Sequence, residues 1–264
     1  MDMIQIILLG TIQGVFEWLP VSSEGIVTLT MTQLFGENTL KSVNIAIWLH
    51  LGTMLSAFLY FRKDIKKIAL DLPQCCKINT KGNHSCNIFS FILIATLVTS
   101  IMGGFLYVFG IEKLANRPKV FTGLMGSALL LTGGLRFYSS ETERNIKNTD
   151  KKDSLLIGLL QGFSVIPGIS RSGSTIFGLF YRKFNGKDAF KLSFLLSIPA
   201  VLIANIGMGL LSKLVITPEL IVTSLISFIV GYISIGLLLK VADRIEISYL
   251  CFIFALIAFS SILI

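Results

Sequence analysis

Pro167-Gly168-Ile169-Ser170-Arg171-Ser172-Gly173 breaks an otherwise apolar stretch, 154 to 181, and a second break, Pro20-Val21-Ser22-Ser23-Glu24-Gly25, interrupts the stretch 1 to 40. Non-helical backbone inside the hydrocarbon region survives only where protein buries it or it lines a wet cavity. Each stretch is therefore expected to be a re-entrant helix hairpin that dips into a membrane and turns back.

The surroundings agree. The 264 residues are 53% hydrophobic and only 14% charged, with a mean hydropathy of +0.78, which excludes an ordinary soluble domain. Apolar runs at 43–61, 88–109, 119–138, 191–212, 219–239 and 247–264 each come near the ~20 residues a spanning helix needs. The runs are continuous instead of alternating, so strands are not expected. The expected fold is an all-α polytopic membrane protein: two re-entrant hairpins plus six transmembrane helices.

Basic residues test this topology. With both hairpins re-entering and 62–87 placed as a cytoplasmic loop, 17 Lys and Arg fall inside and five outside, with Arg171 in the second break. If 154–181 spanned instead, the split would be 12 against ten, and the positive-inside bias would vanish. The net charge of +8 is thereby assigned to cytoplasmic loops and anionic lipid, not to nucleic acid. No cleavable signal is expected, because the first basic residue is Lys41 and Glu17 interrupts the leading apolar run. Cys75, Cys76 and Cys86 share a polar segment with His84 but lack the spacing of a zinc site, and reduced thiols are expected.

The hairpins enter from opposite faces, each followed by three spans, which describes an inverted repeat. Gly10, Gln13, Gly14, Ser22 and Gly25 match Gly158, Gln161, Gly162, Ser170 and Gly173 at a constant offset of 148. The chain is read as one membrane domain, with a first repeat at 1–140, a linker at 141–153 and a second repeat at 154–264. Such repeats place a site where the halves meet.

Arg171 is the most informative residue there. A charge at mid-bilayer costs about 2.5 to 3.5 kcal/mol on insertion scales, so it needs a partner or a task. Its guanidinium fork suits phosphate oxygens, Ser170, Ser172, Ser174 and Thr175 add hydroxyls, and Gly168 and Gly173 let backbone approach an anion. The helix that follows presents its positive end. The alternative is a structural ion pair with Glu17 or Glu24. In the first break, Gln13 lies one turn before Glu17 and on the same face. Together they suit a divalent metal or an oriented water. Ser22 and Ser23 offer hydroxyls, one of which becomes a nucleophile where a base lies near, while Ser22 alone is equally suited to cap the next helix. His50, inside an apolar run, reads as a hydrogen-bonded helical histidine more readily than as a base.

Gln13-Gly14-Val15-Phe16-Glu17-Trp18-Leu19-Pro20-Val21-Ser22-Ser23 and Pro167-Gly168-Ile169-Ser170-Arg171-Ser172-Gly173-Ser174-Thr175-Ile176 resemble the two motifs of the undecaprenyl-diphosphatases. His50-Leu51-Gly52-Thr53, Tyr60-Phe61-Arg62-Lys63-Asp64 and Leu192-Ser193-Phe194-Leu195-Leu196-Ser197-Ile198-Pro199-Ala200 extend the resemblance over nearly the whole chain. It implies a plasma-membrane hydrolase that removes the terminal phosphate of a C55 polyprenyl diphosphate, regenerating a lipid carrier for cell-wall glycan export. It also implies a site open to the outer face, bacitracin sensitivity on loss, and a divalent cation (Mg2+ or Ca2+). Glu17, Ser23 and Arg171 match the family's acidic residue, serine and phosphate clamp; Glu17 and Gln13 match a metal site. The expected partners are the polyprenyl diphosphate, the bilayer and, as an open expectation, a second copy in a homodimer. The chain departs from the family at Ile26, where a histidine is usual, and in lacking an arginine in its last helix.

A transporter or flippase of a lipid phosphate or other anion is the competing reading, since broken helices in inverted repeats are above all a transporter design. Transport alone gives no reason for the Glu17 and Ser23 pair. A phosphatase with a histidine nucleophile is disfavoured, because His50 and His84 both precede Ser170-Arg171.

Overall fold

The computed structural model describes residues 2–75, 84–109, 143–165, 169–211 and 216–263, with scattered positions between 123 and 134. The helices of the first half are α1 Met3–Phe16, α2 Ser23–Leu29 (continued by a π-helical turn, Thr30–Leu34), α3 Thr39–Tyr60, α4 Arg62–Cys75 and α5 His84–Phe109. Those of the second are α6 Lys151–Gly162, α7 Arg171–Tyr181, α8 Gly186–Leu211, α9 Pro218–Ala242 and α10 Ile247–Leu263. Among the described residues there is no strand, only one isolated bridge between Arg144 and Phe184.

The described residues thus form an all-helical fold, and among them α3, α5, α8 and α9 contain the four helices long and apolar enough to cross a membrane. They occupy the runs expected at 43–61, 88–109, 191–212 and 219–239. The run at 247–264 is α10, a shorter apolar helix, and the run at 119–138 is described only at scattered positions. Both breaks occur where Pro, Gly and Ser stand: α1 stops at Phe16 and α2 starts at Ser23, while α6 stops at Gly162 and α7 starts at Arg171.

Two expectations are corrected. The segment after Phe61 is not a loop at first but the helix α4, because Ile65 and Ile68 share a face that packs on the core while Lys63, Lys66 and Lys67 stay exposed. Cys75 and Cys86 are not free thiols but a disulfide joining the end of α4 to the first turn of α5. Helix packing brings their Cα atoms to 5.1 Å, within bridging reach, which sequence spacing does not show. Cys251, on α10, is buried and takes no part in the disulfide.

Glycines set the packing of the broken helices. A Cβ on Gly10 would lie 2.7 Å from the Thr223 carbonyl oxygen, and one on Gly14 2.7 Å from Val230 Cβ, both on α9. In the second half, a Cβ on Gly158 would lie 2.7 Å from the Ala95 carbonyl oxygen and one on Gly162 2.7 Å from Met102 Cβ, both on α5. Helices α1 and α6, each lying before a break, therefore press a small-xxx-small face onto a long helix from the other half of the chain, the close approach that drives association in lipid. Helices α3 and α9 meet as tightly, since a Cβ on Gly52 would come 2.3 Å from the Ser224 carbonyl oxygen. Trp18, fully buried, ties the first break into the aromatic core: its ring lies 4.7 Å from that of Phe194, and its Nε1–H donates to the Gly231 carbonyl at 3.1 Å.

Candidate active site

Glu17 is the C-cap of α1, its backbone N–H donating to the Gln13 carbonyl at 3.1 Å. That leaves Gln13 and Glu17 one turn apart on one face, as their spacing implies. Ser22 is the N-cap of α2, its Oγ accepting from Gly25 N at 3.1 Å, and so Ser23 becomes the first residue of that helix. Ser170 does the same for α7, accepting from Gly173 N at 3.0 Å, and Arg171 becomes the first residue there. The offset of 148 seen in the sequence thus carries identical capping roles.

The side chains converge on one carboxylate. Glu17 Oε2 accepts from Ser23 Oγ at 2.6 Å and from Gln13 Nε2 at 2.8 Å, and His50 Nε2 lies 3.1 Å from it. Arg171 Nη2 donates to Glu17 Oε1. The residue expected from the second break and the one expected from the first are therefore in direct contact. His50 Nδ1 faces the Ala46 carbonyl at 2.7 Å. The imidazole thereby bridges the α3 backbone and Glu17, so one buried carboxylate is held by a serine, an amide, an imidazole and a guanidinium.

Two atoms in this cluster have no hydrogen-bond partner although they are buried: Arg171 Nη1 and Gln13 Oε1. An unmatched buried donor costs about 1–3 kcal/mol, and this one belongs to a guanidinium at the start of α7, a chemistry suited to an anionic oxygen.

The remaining residues expected to bind a ligand have these partners. Ser172 Oγ donates to the Leu19 carbonyl at 2.6 Å, and Ser170 Oγ to the same oxygen at 3.3 Å. A Cβ on Gly173 would lie 3.2 Å from Pro20 Cα. These three clasp the two breaks together. Ser174 Oγ donates to the Ser170 carbonyl at 2.9 Å within α7, and Thr175 Oγ1 is hydrogen-bonded to Ser193 Oγ on α8 at 2.6 Å. Gly168 lies outside the described residues. Glu24 stands half-buried in the first turn of α2, where a carboxylate meets the helix dipole favourably.

The residues around Glu17 are poorly suited to a resident divalent cation. Both Glu17 oxygens already accept, one of them from a guanidinium, and Gln13 Oε1 is a lone neutral amide oxygen without a partner. Among the described residues no group of three or more His, Cys, Asp or Glu could hold a metal. A hard dication wants six or more oxygens, few of them shared with cations; these residues do not fit one.

His50 is the residue that the sequence alone left without a partner. Its contact joins α3 to the first break, and no spacing rule reports it; the signal at hand was the His50-Leu51-Gly52-Thr53 stretch together with the missing histidine at Ile26.

Two broken helices thus bring a serine, a carboxylate and a guanidinium together in a helical chain with four helices long and apolar enough to cross a membrane. The family model described as "Bacitracin resistance protein BacA" matches residues 6–261, and the chain belongs to that family. It is 41% identical over 245 residues to the undecaprenyl-diphosphatase of Methanococcoides burtonii, covering 93% of this chain and 92% of that one. It is also 34% identical over 260 residues to the undecaprenyl-diphosphatase of Haloarcula marismortui, covering 94% and 93%. Undecaprenyl-diphosphatase 2 of Halalkalibacterium halodurans is 30% identical over 274 residues, covering 98% and 96%.

Proposed function

We propose that Glu17, Ser23, Arg171 and His50 form the catalytic unit with which this membrane phosphatase hydrolyses undecaprenyl diphosphate to the monophosphate and inorganic phosphate. Family membership and relatives named undecaprenyl-diphosphatase support the activity. The observation that carries the assignment of residues is that Ser23 and Arg171 grip one carboxylate while Arg171 keeps a buried nitrogen open.

In this reading a terminal phosphate oxygen docks on Arg171 Nη1. Ser23 passes its proton to Glu17 Oε2 as its oxygen closes on phosphorus, and the bridging P–O bond breaks to release the lipid monophosphate. Water then attacks phosphorus and the Ser23 Oγ–P bond breaks; Glu17 returns the proton it took to the departing Ser23 oxygen, and the water's remaining proton leaves with inorganic phosphate. Arg171 and His50 hold Glu17 in place, and Arg171 meets charge on the phosphoryl oxygens, the main task of a protein in such a transfer. A divalent cation, which the family resemblance implies, would neutralise charge on the diphosphate; Glu17 and Gln13, already engaged with each other, do not suit it as a resting ligand pair.

The halves 1–140 and 154–264 are inverted repeats joined by 141–153, each opening with a re-entrant hairpin, and the run at 119–138 completes six spans. Support comes from the matched glycine faces and matched N-caps. The site opens to the outer face of the plasma membrane, with the polyprenyl tail lying between helices toward lipid, and the product re-enters glycan export. The test is release of inorganic phosphate from undecaprenyl diphosphate by purified protein in detergent. A flippase would move the lipid across vesicles with no phosphate released.

A further inference from the structure

A cavity of about 320 Å3 opens where the C-terminal ends of α3 and α9 meet the N-terminal end of α8, near the lower end of the roughly 300–1,000 Å3 typical of small-molecule pockets. Its rim carries Tyr60, Asp64, Lys187, Lys191, Lys240 and Asp243. It is separate from the site above: Tyr60 is ten residues beyond His50 on α3, about 15 Å along the helix axis.

The rim charges are ordered. Lys191 Nζ donates to Asp64 Oδ1 at 2.6 Å and Lys187 Nζ to Asp243 Oδ2 at 2.9 Å, which holds both ammonium groups at the pocket mouth. Lys240 is exposed and has no partner among the described residues. Three ammonium groups thus face two carboxylates, leaving one cation in excess, beside a phenol that can also donate. Phe61 and Leu239 also line it, so the pocket offers apolar wall beside the charged groups. This end of the helices is the one that the basic-residue count places in the cytoplasm.

We propose that this pocket binds a phosphate group at the cytoplasmic surface of the membrane, carried by an anionic phospholipid headgroup or free in solution. Basic pockets between spanning helices on that side are suited to phosphorylated headgroups, and lysine binds phosphate as a compact point charge. The apolar wall favours the lipid, whose glycerol and first methylenes would lie against it. This inference does not depend on the chemistry assigned to Glu17 and Arg171.

The experiment compares the wild-type protein with K240Q and K187Q/K240Q, each purified whole. Native mass spectrometry measures retention of phosphatidylglycerol against phosphatidylcholine, and a second arm titrates inorganic phosphate alone, read by 31P line broadening. Selective retention of phosphatidylglycerol, weakened about five-fold for each lysine removed with the rate of diphosphate hydrolysis unchanged, supports the lipid. Binding of inorganic phosphate that displaces the lipid and is lost in K187Q/K240Q supports the free anion. Equal retention of both lipids with no phosphate binding, or binding unchanged in K187Q/K240Q, overturns the proposal.

Discussion

Ser23 and Arg171 stand at the same place in their two halves, each the first residue of the helix that follows a break, and they bond opposite oxygens of the same carboxylate, Glu17. A hydroxyl and a guanidinium thus reach one carboxylate from two helix starts 148 residues apart, each fixed by a serine N-cap, Ser22 and Ser170.

His50 holds Glu17 from the side opposite Arg171. Replacing it by glutamine keeps one donor toward Glu17 but removes the ring that can carry a proton. His50→Gln is expected to lower kcat by about 10²-fold, the scale of a lost proton-transfer or charge-balancing group. Steady-state kinetics on the purified variant checks this, and an unchanged kcat would place the imidazole outside the chemistry.

Much of this site was legible in the sequence. Gln13, Glu17, Ser23 and Arg171 could be singled out because a charge or a break inside an apolar run is conspicuous, and the offset of 148 paired the breaks. The contacts of the Ser170, Ser172 and Thr175 hydroxyls were not legible, because their partners, the Leu19 carbonyl and Ser193 Oγ, are brought in by packing between distant segments. The same holds for Cys75 and Cys86, which neighbouring helix ends bring together, and for α4, whose helical face is too short and too charged to stand out beside the spans.

The matched glycines make a paired prediction. Gly14→Val drives a branched side chain into α9, and Gly162→Val drives one into α5. Each is expected to cost about 1–3 kcal/mol by overpacking and to lower the melting temperature in detergent. Gly104, on α5, has nothing within 4 Å of its Cβ position. Gly104→Ala is expected to stabilise by about 0.5–1 kcal/mol, so thermal melts of the three variants should differ in sign.

Near the linker, Asp153 is fully buried and accepts from Arg144 Nη1 at 2.9 Å and Nη2 at 2.7 Å, and from Arg182 Nε. Burial alone would raise its carboxyl, but the hydrogen bonds from Arg144 and Arg182 outweigh burial and hold it below the ordinary value of 3.8. A carboxyl depressed by folding contributes stability above its unfolded value and loses it as the pH falls through its folded one. Asp153→Asn is therefore expected to melt below wild type at neutral pH. The gap should begin to close only once the pH falls beneath 3.8, and melts across that range check it.

Because the Glu17 carboxylate is fully engaged, the substrate-free protein is expected to retain less than stoichiometric Mg2+ or Ca2+ after gel filtration. A non-hydrolysable diphosphate analogue is expected to bring the metal in with it. Elemental analysis of the two samples checks this; one equivalent of metal retained without the analogue would return the ion to Gln13 and Glu17.

The most direct measurement of the central claim is phosphate release from undecaprenyl diphosphate by purified wild type, Glu17→Gln, Arg171→Ala and the double variant, each with its melting curve. The account predicts a fall of about 10²-fold or more in each single variant, and a double variant little worse than the weaker single, because the pair acts as a unit. A folded Glu17→Gln or Arg171→Ala protein that releases phosphate at the wild-type rate would contradict it.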